Sequence, residues 1–91
     1  MAQFVIKKDG SKEPFDAGKI RRSIMAAAQR ANLPEERINE VVEQVSVSAI
    51  KMAEERAEIA TSEIKSKILS ELDAVEPAVA ESWREYEQTK G

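Results

Sequence analysis

Val5–Ile24, VIKKDGSKEPFDAGKIRRSI, decides how the rest of this 91-residue chain is read. Val5 and Ile6 open an extended segment, because β-branched side chains suit a pleated backbone. Asp9-Gly10 reverses the chain, since glycine takes φ > 0 at no steric cost. Glu13-Pro14-Phe15 returns, and Asp16 is a good N-cap whose carboxylate can accept the free backbone N–H groups of the next turn. The stretch reads as a tight hairpin over residues 3–15 running straight into a helix. Lys7, Lys8, Lys12, Lys19, Arg21 and Arg22 crowd this corner. Cations beside a helix N-terminus, with its exposed N–H groups and positive dipole end, make a seat for an anion.

Downstream, the periodicity is helical throughout. Ile20, Ile24, Ala27, Ala28 and Ala31 form one stripe of a first helix over about residues 17–31. Its alanines leave it slim, so neighbours can approach closely, and Gly18 is a weak spot in its first turn that a close contact would explain. Asn32 tolerates the left-handed conformation and Pro34 cannot continue a helix, so the two together end it. Ile38, Val41, Val42, Val45, Ala49, Met52 and Ala53 mark a long amphipathic helix over about 34–55, with Glu35 and Glu36 favourable to its N-terminal dipole. The polar run Glu54–Glu58 leads out of it. Thr61 reads as the N-cap of a third helix over about 62–73, carried by Ile64, Ile68 and Leu72 with Leu69 widening the stripe. Pro77 opens a fourth over about 77–88, with Val79, Trp83 and Tyr86 at helical spacing, and the polar end 88–91 is expected to fray.

The expected fold class is α+β, mostly α, in a single domain: a four-helix bundle capped by a small β-hairpin or three-stranded sheet. Short connections favour antiparallel neighbours. With 42% hydrophobic and 34% charged residues, the composition suits a soluble globular fold with a modest core. No apolar run approaches the roughly 20 residues of a membrane span and no signal-peptide pattern opens the chain, so the expectation is a cytoplasmic protein that does not meet a membrane. The absence of cysteine removes disulfides and thiolate metal sites.

Several chemistries fall away. Without histidine there is no Ser-His-Asp triad and no histidine-ligated zinc. Neither GxxxxGKS/T nor GxGxxG occurs, and the carboxylates are spaced as helix-surface charges. The reading is not an enzyme. Charge is uneven beneath the net −3: residues 1–34 carry seven basic side chains against three acidic, a net +4, and residues 35–91 seven against fourteen, a net −7. A basic corner on an acidic body suits a small anion better than a polynucleotide, so nucleic acid is a disfavoured partner.

The spaced string Val5-x-Lys7-Lys8-Asp9-Gly10-x-x-Glu13-x-Phe15-Asp16-x-x-Lys19-Ile20, with Ile24 one turn on, resembles the opening motif of the ATP-cone. This is the small regulatory nucleotide-binding domain found at the front of ribonucleotide reductases and in NrdR-type transcriptional repressors. Glu58–Ile64, EIATSEI, resembles that family's second signature, in which a very short strand joins the hairpin's sheet before the third helix. The resemblance extends from Val5 to about Tyr86. It implies a non-catalytic domain that binds ATP or dATP, with or without Mg²⁺, between the cap and the helices.

Carried over by motif, Lys7, Lys19 and Lys65 face the phosphates, with Lys8 a weaker candidate. Val5 and Ile20 flank the base, Glu13 and Asp16 read its amino group, and Thr61 lies near the sugar or α-phosphate. The resemblance further implies an allosteric module acting on a protein partner of unknown identity, with self-association as one form. Two other classes stand beside it: a helical interaction or oligomerisation module that binds no nucleotide, and an accessory domain of a nucleic-acid-binding regulator.

Overall fold

Turn chemistry builds the first element. The structure, a computed structural model, describes residues 4–90; residue 3 of the expected hairpin lies outside them. Strands β1 (Phe4–Ile6) and β2 (Lys12–Pro14) pair antiparallel, with Val5 opposite Glu13. Between them the Gly10 N–H donates to the Lys7 carbonyl at 2.9 Å and the Lys7 N–H to the Ser11 carbonyl at 2.9 Å. Gly10 stands at φ +87°, closing the loop in the left-handed region. The Asp9 carboxylate fixes the turn by accepting from the Ser11 N–H at 2.9 Å and the Ser11 hydroxyl at 2.6 Å, hydrogen bonds that hold its carboxyl below the usual range.

Helix α1 (Ala17–Arg30) starts as the sequence indicates. Asp16 is extended, and its Oδ1 accepts from the Lys19 N–H at 3.3 Å. A Cβ on Gly18 would lie 3.1 Å from Arg22 Nη1 and 3.2 Å from Asp16 Oδ1, so the glycine lets the Asp16–Arg22 pair close over the first turn. Asn32 ends the helix region at φ +62°. Helix α2 (Glu35–Glu54) follows, then β3 (Glu58–Ala60), α3 (Thr61–Val75) and α4 (Pro77–Lys90). β3 joins the sheet parallel to β1, giving the order β2-β1-β3 with Ile59 beside Val5. The intervening pair of helices supplies the crossover that a parallel pairing requires.

Each helix packs against two others, α1 on α2 and α4, and α3 on α2 and α4, so the four close into a ring. The core runs through it from Ile24, Ala27 and Ala28 to Val41, Val45 and Ala49, then Ile68 and Leu72, then Val79 and Ala80. Val5 and Ile59 bring the sheet onto its end. Expected core members Ile38, Met52 and Leu69 are only partly buried, whereas Ser46 is fully buried, its hydroxyl donating to the Glu43 carbonyl at 3.4 Å. Arg37 ties α2 to the end of α3, meeting Glu76 at 2.9 Å and donating to the Val75 carbonyl at 3.0 Å. Thr61 corrects the sequence reading. It is the first residue of α3 rather than its cap, a place taken by Ala60 with no side-chain capping bond. Residues 58–60 reach the helix already extended as β3, so no turn remains for Thr61 to close. No helix among the described residues is long and apolar enough to cross a membrane.

Candidate functional site

A cavity of about 550 Å³ lies between the sheet and helices α1, α3 and α4, within the range of roughly 300–1,000 Å³ common for small-molecule sites. Antiparallel register puts Val5 and Glu13 side by side on the sheet face that looks into it, with Lys7 just beyond the end of β1. The first turns of α1 add Lys19, Ile20, Arg22 and Ser23, and Arg30 stands at its far end. Thr61, Ile64, Lys65 and Ile68 come from one face of α3, and Trp83, Tyr86 and Glu87 from α4. Helix α2 contributes none of the lining residues.

The lining divides by chemistry. Ile20, Ile64, Ile68 and Trp83 are buried and make an apolar inner wall. The indole N–H of Trp83 is buried with no hydrogen-bond partner among the described residues, which is uncommon for a buried donor. The rim is ionic and solvated. Lys7 Nζ lies 2.9 Å from Glu13 Oε1, and Lys19 Nζ 3.9 Å from Glu13 Oε2. Across the cavity Lys65 meets Glu87 at 3.3 Å, and on the hairpin side Arg22 meets Asp16 at 3.5 Å. The Arg30 guanidinium stacks over the Tyr86 ring at 4.1 Å from its centroid. The hydrogen bond between Lys7 and Glu13 pushes the ammonium pKa up and, with a smaller contribution from Lys19, holds the carboxyl below its usual range. Both groups are thus firmly charged at neutral pH.

All of the residues singled out from the sequence line this one cavity except Lys8. That residue is exposed in the hairpin turn, one position past Lys7, and is not part of the lining. Asp16 is present chiefly as the cap of α1 and the partner of Arg22. Sequence reasoning missed Arg22, Arg30, Ile64, Ile68, Trp83, Tyr86 and Glu87 as lining residues. The four-residue spacing of Ile64 and Ile68 and the three-residue spacing of Trp83 and Tyr86 signalled a shared face, but not that this face meets a cavity. Arg21, in the same basic cluster, instead pairs with Glu43 of α2 at 3.1 Å. The arrangement offers an apolar slot for a flat ring and, at its mouth, a ring of cations suited to an anionic chain.

The family model for the ATP cone domain matches residues 3–91. Among curated proteins the chain is similar to the transcriptional repressor NrdR of Bdellovibrio bacteriovorus, 38% identical over 69 residues, covering 76% of this chain and 34% of that protein. The transcriptional repressor NrdR of Acinetobacter baylyi is 32% identical over 68 residues, covering 75% of this chain and 38% of that protein. That of Thermosipho melanesiensis is 36% identical over 69 residues, covering 76% and 44%. The chain therefore spans less than half the length of these relatives. The expectation that nucleic acid is a disfavoured partner finds no support in relatives named as transcriptional repressors, because a basic corner counted over one domain says nothing of what an attached segment contacts.

Proposed function

This chain belongs to the ATP-cone family, and we propose that it is a regulatory module that senses an adenine nucleotide, ATP or dATP, in the cavity between the sheet and α1, α3 and α4. The observation that carries this reading is the convergence of Val5, Lys7, Glu13, Asp16, Lys19, Ile20, Thr61 and Lys65, from four separate elements and the loops beside them, on one cavity. The base lies against Val5 and Ile20, with Ile64, Ile68 and Trp83 behind them. Lys7, Lys19 and Lys65 take the phosphates as charge-assisted donors. The Thr61 hydroxyl, not engaged in capping, lies toward the sugar or α-phosphate, and Glu13 and Asp16 are the acceptors nearest a base amino group. No cluster of three His, Cys, Asp or Glu residues among those described could hold a metal ion, so Mg²⁺ would arrive with the polyphosphate. The module works without catalysis, as a cytoplasmic domain.

As mechanism, the ligand draws the hairpin onto α1 and α3 and alters the surface shown to a protein partner or to a second copy. Coupling of this kind is typically about 1–3 kcal/mol, a switch of roughly 5- to 150-fold. The repressor relatives favour one specific setting, in which the module regulates a nucleic-acid-binding protein. Thermal unfolding with ATP, dATP or GTP, each with Mg²⁺, tests the reading. At about 100 times its Kd a ligand adds roughly 2.7 kcal/mol, a midpoint rise on the order of 10 °C for a domain this size. A rise with ATP or dATP, small with GTP, lost in Lys7→Ala and kept in Lys8→Ala, is the expected result. No rise with any nucleotide would remove the reading and leave a helical interaction module in its place.

A further inference from the structure

Both oxygens of Glu13 are engaged by lysines, Oε1 by Lys7 at 2.9 Å and Oε2 by Lys19 at 3.9 Å. These are the cations that the proposed site would give to a phosphate chain. A side chain of the protein thus sits where the proposed site would place the phosphates. Glu13 can leave that seat cheaply. It lies on β2 opposite Val5, its backbone is fixed by the strand pairing, and its side chain is 39% exposed and held by side chains alone. Asp16, the other acidic residue on this side, is committed to backbone structure: its Oδ1 caps α1 through the Lys19 N–H.

We propose that Glu13 is a partner-exchanging carboxylate: a phosphate chain takes Lys7 and Lys19 from it, and Glu13 is then free to accept an N–H from the base amino group. The inference rests on the adenine-nucleotide reading of the cavity. Its logic is charge competition. A triphosphate, with about three to four negative charges, outbids one carboxylate for two ammonium groups. Stripped of its lysines beside that anion, Glu13 is a strong acceptor without a donor, and an exocyclic amine supplies one. Base recognition at this site is thereby linked to phosphate binding, and Glu13 has two opposed effects. It weakens the binding of any triphosphate by holding the lysines, and it strengthens the binding of one that carries the amine.

The test compares ATP with purine riboside triphosphate, which lacks only the 6-amino group, by calorimetric titration of wild type and Glu13→Gln. In wild type, ATP should bind about tenfold more tightly than the amine-free analogue, as expected for one hydrogen bond to a charged acceptor. Glu13→Gln should bind the amine-free triphosphate more tightly than wild type, by up to about fivefold, as expected from releasing solvated ion pairs. Its preference for ATP should fall to about threefold or less, since a neutral acceptor makes a weaker bond. Glu13→Ala should give the same two signs with no preference left, which guards against a peculiarity of glutamine. Equal weakening of both ligands in the variants would make Glu13 a structural residue and overturn the proposal. A lost preference with unchanged affinity for the amine-free ligand would make it a base reader that never held the lysines, overturning the exchange while leaving the nucleotide reading intact. Failure of wild type to bind either triphosphate would overturn both.

Discussion

Trp83→Phe should leave the stability of the domain unchanged or raise it by up to about 2 kcal/mol, although Trp83 is only 7% exposed. Two terms oppose each other. Exchanging indole for phenyl removes on the order of 40 Å² of buried apolar surface, worth about 1 kcal/mol at 25 cal/mol per Å². It also removes an indole N–H buried with no partner among the described residues, and a buried unsatisfied donor costs about 1–3 kcal/mol. The gain is thus at least as large as the loss. Trp83→Ala has no such offset and should cost about 3–5 kcal/mol. For a chain of this size the total stability is about 5–14 kcal/mol, so the alanine variant stands near the limit of folding. Urea unfolding followed by far-ultraviolet circular dichroism separates the two, because the signal does not depend on the chain's single tryptophan. A phenylalanine variant that loses 3 kcal/mol would refute the reasoning and show that the N–H is satisfied in the folded protein.

Three further outcomes follow from local structure. Gly10→Ala should cost about 1 kcal/mol in the urea midpoint because of φ +87° rather than crowding, since nothing lies within 4 Å of a Cβ there; Gly10→Asn should cost less, and equal costs would point away from the backbone. Arg37→Ala should lose about 1 kcal/mol, because the guanidinium satisfies both Glu76 and the Val75 carbonyl; an unchanged midpoint would show that water replaces it freely. The pH dependence follows from Asp9, Glu13, Glu71 and Asp73, held below the usual carboxylate range chiefly by hydrogen bonds from Ser11, Lys7, Ser48 and Arg84 respectively. Carboxyls lowered by folding contribute stability that is present above their unfolded pKa and lost as pH falls through the folded value, so the urea midpoint should hold above about pH 5 and fall below about pH 4. Lys7, raised by Glu13, contributes stability that is lost only as pH climbs past its folded value, above about 10.4. With no histidine in the chain, a step between pH 6 and 8 would contradict this account.

The hairpin and the helices were legible because their signals are local. Asp9-Gly10 makes its turn within four residues, Asp16 caps α1 through a bond three residues on, and the stripes of α1, α2 and α3 are set by a period of 3.6. β3 was legible only by family resemblance, since three residues carry no measurable alternation, and that strand is also why Thr61 is not a cap. The site followed the same division. Val5, Lys7, Glu13, Asp16, Lys19, Ile20 and Thr61 were singled out because their spacing matches a known pattern, and they line the cavity; Lys8 of the same motif does not, and Ile64 of the second signature was missed. Trp83, Tyr86 and Glu87 were not, because helical spacing tells which residues share a face and not what stands opposite. Trp83 reads as core from the sequence, and it is buried; it also backs the cavity, a fact set by how α4 leans on α1 and α3.

The topology explains why a ligand here would act on the sheet rather than on the bundle as a whole. Beyond its own pairings, the sheet meets the helices mainly where β3 runs directly into α3. β2 pairs only with β1, and β1 rests on β3 and on its buried Val5 side chain, with Phe4 exposed on the opposite face. Helix α2 packs on α1 and α3 but lines none of the cavity, so a ligand seated there would not touch it. A ligand in the proposed seat, between Lys7 and Glu13 on one side and Lys19, Thr61 and Lys65 on the other, would add contacts between the sheet and the helices. On the proposed reading, binding would have its largest structural effect on the hairpin, and a partner that reads the bound state would touch the outer face of the sheet or the α4 rim near Glu87 before α2.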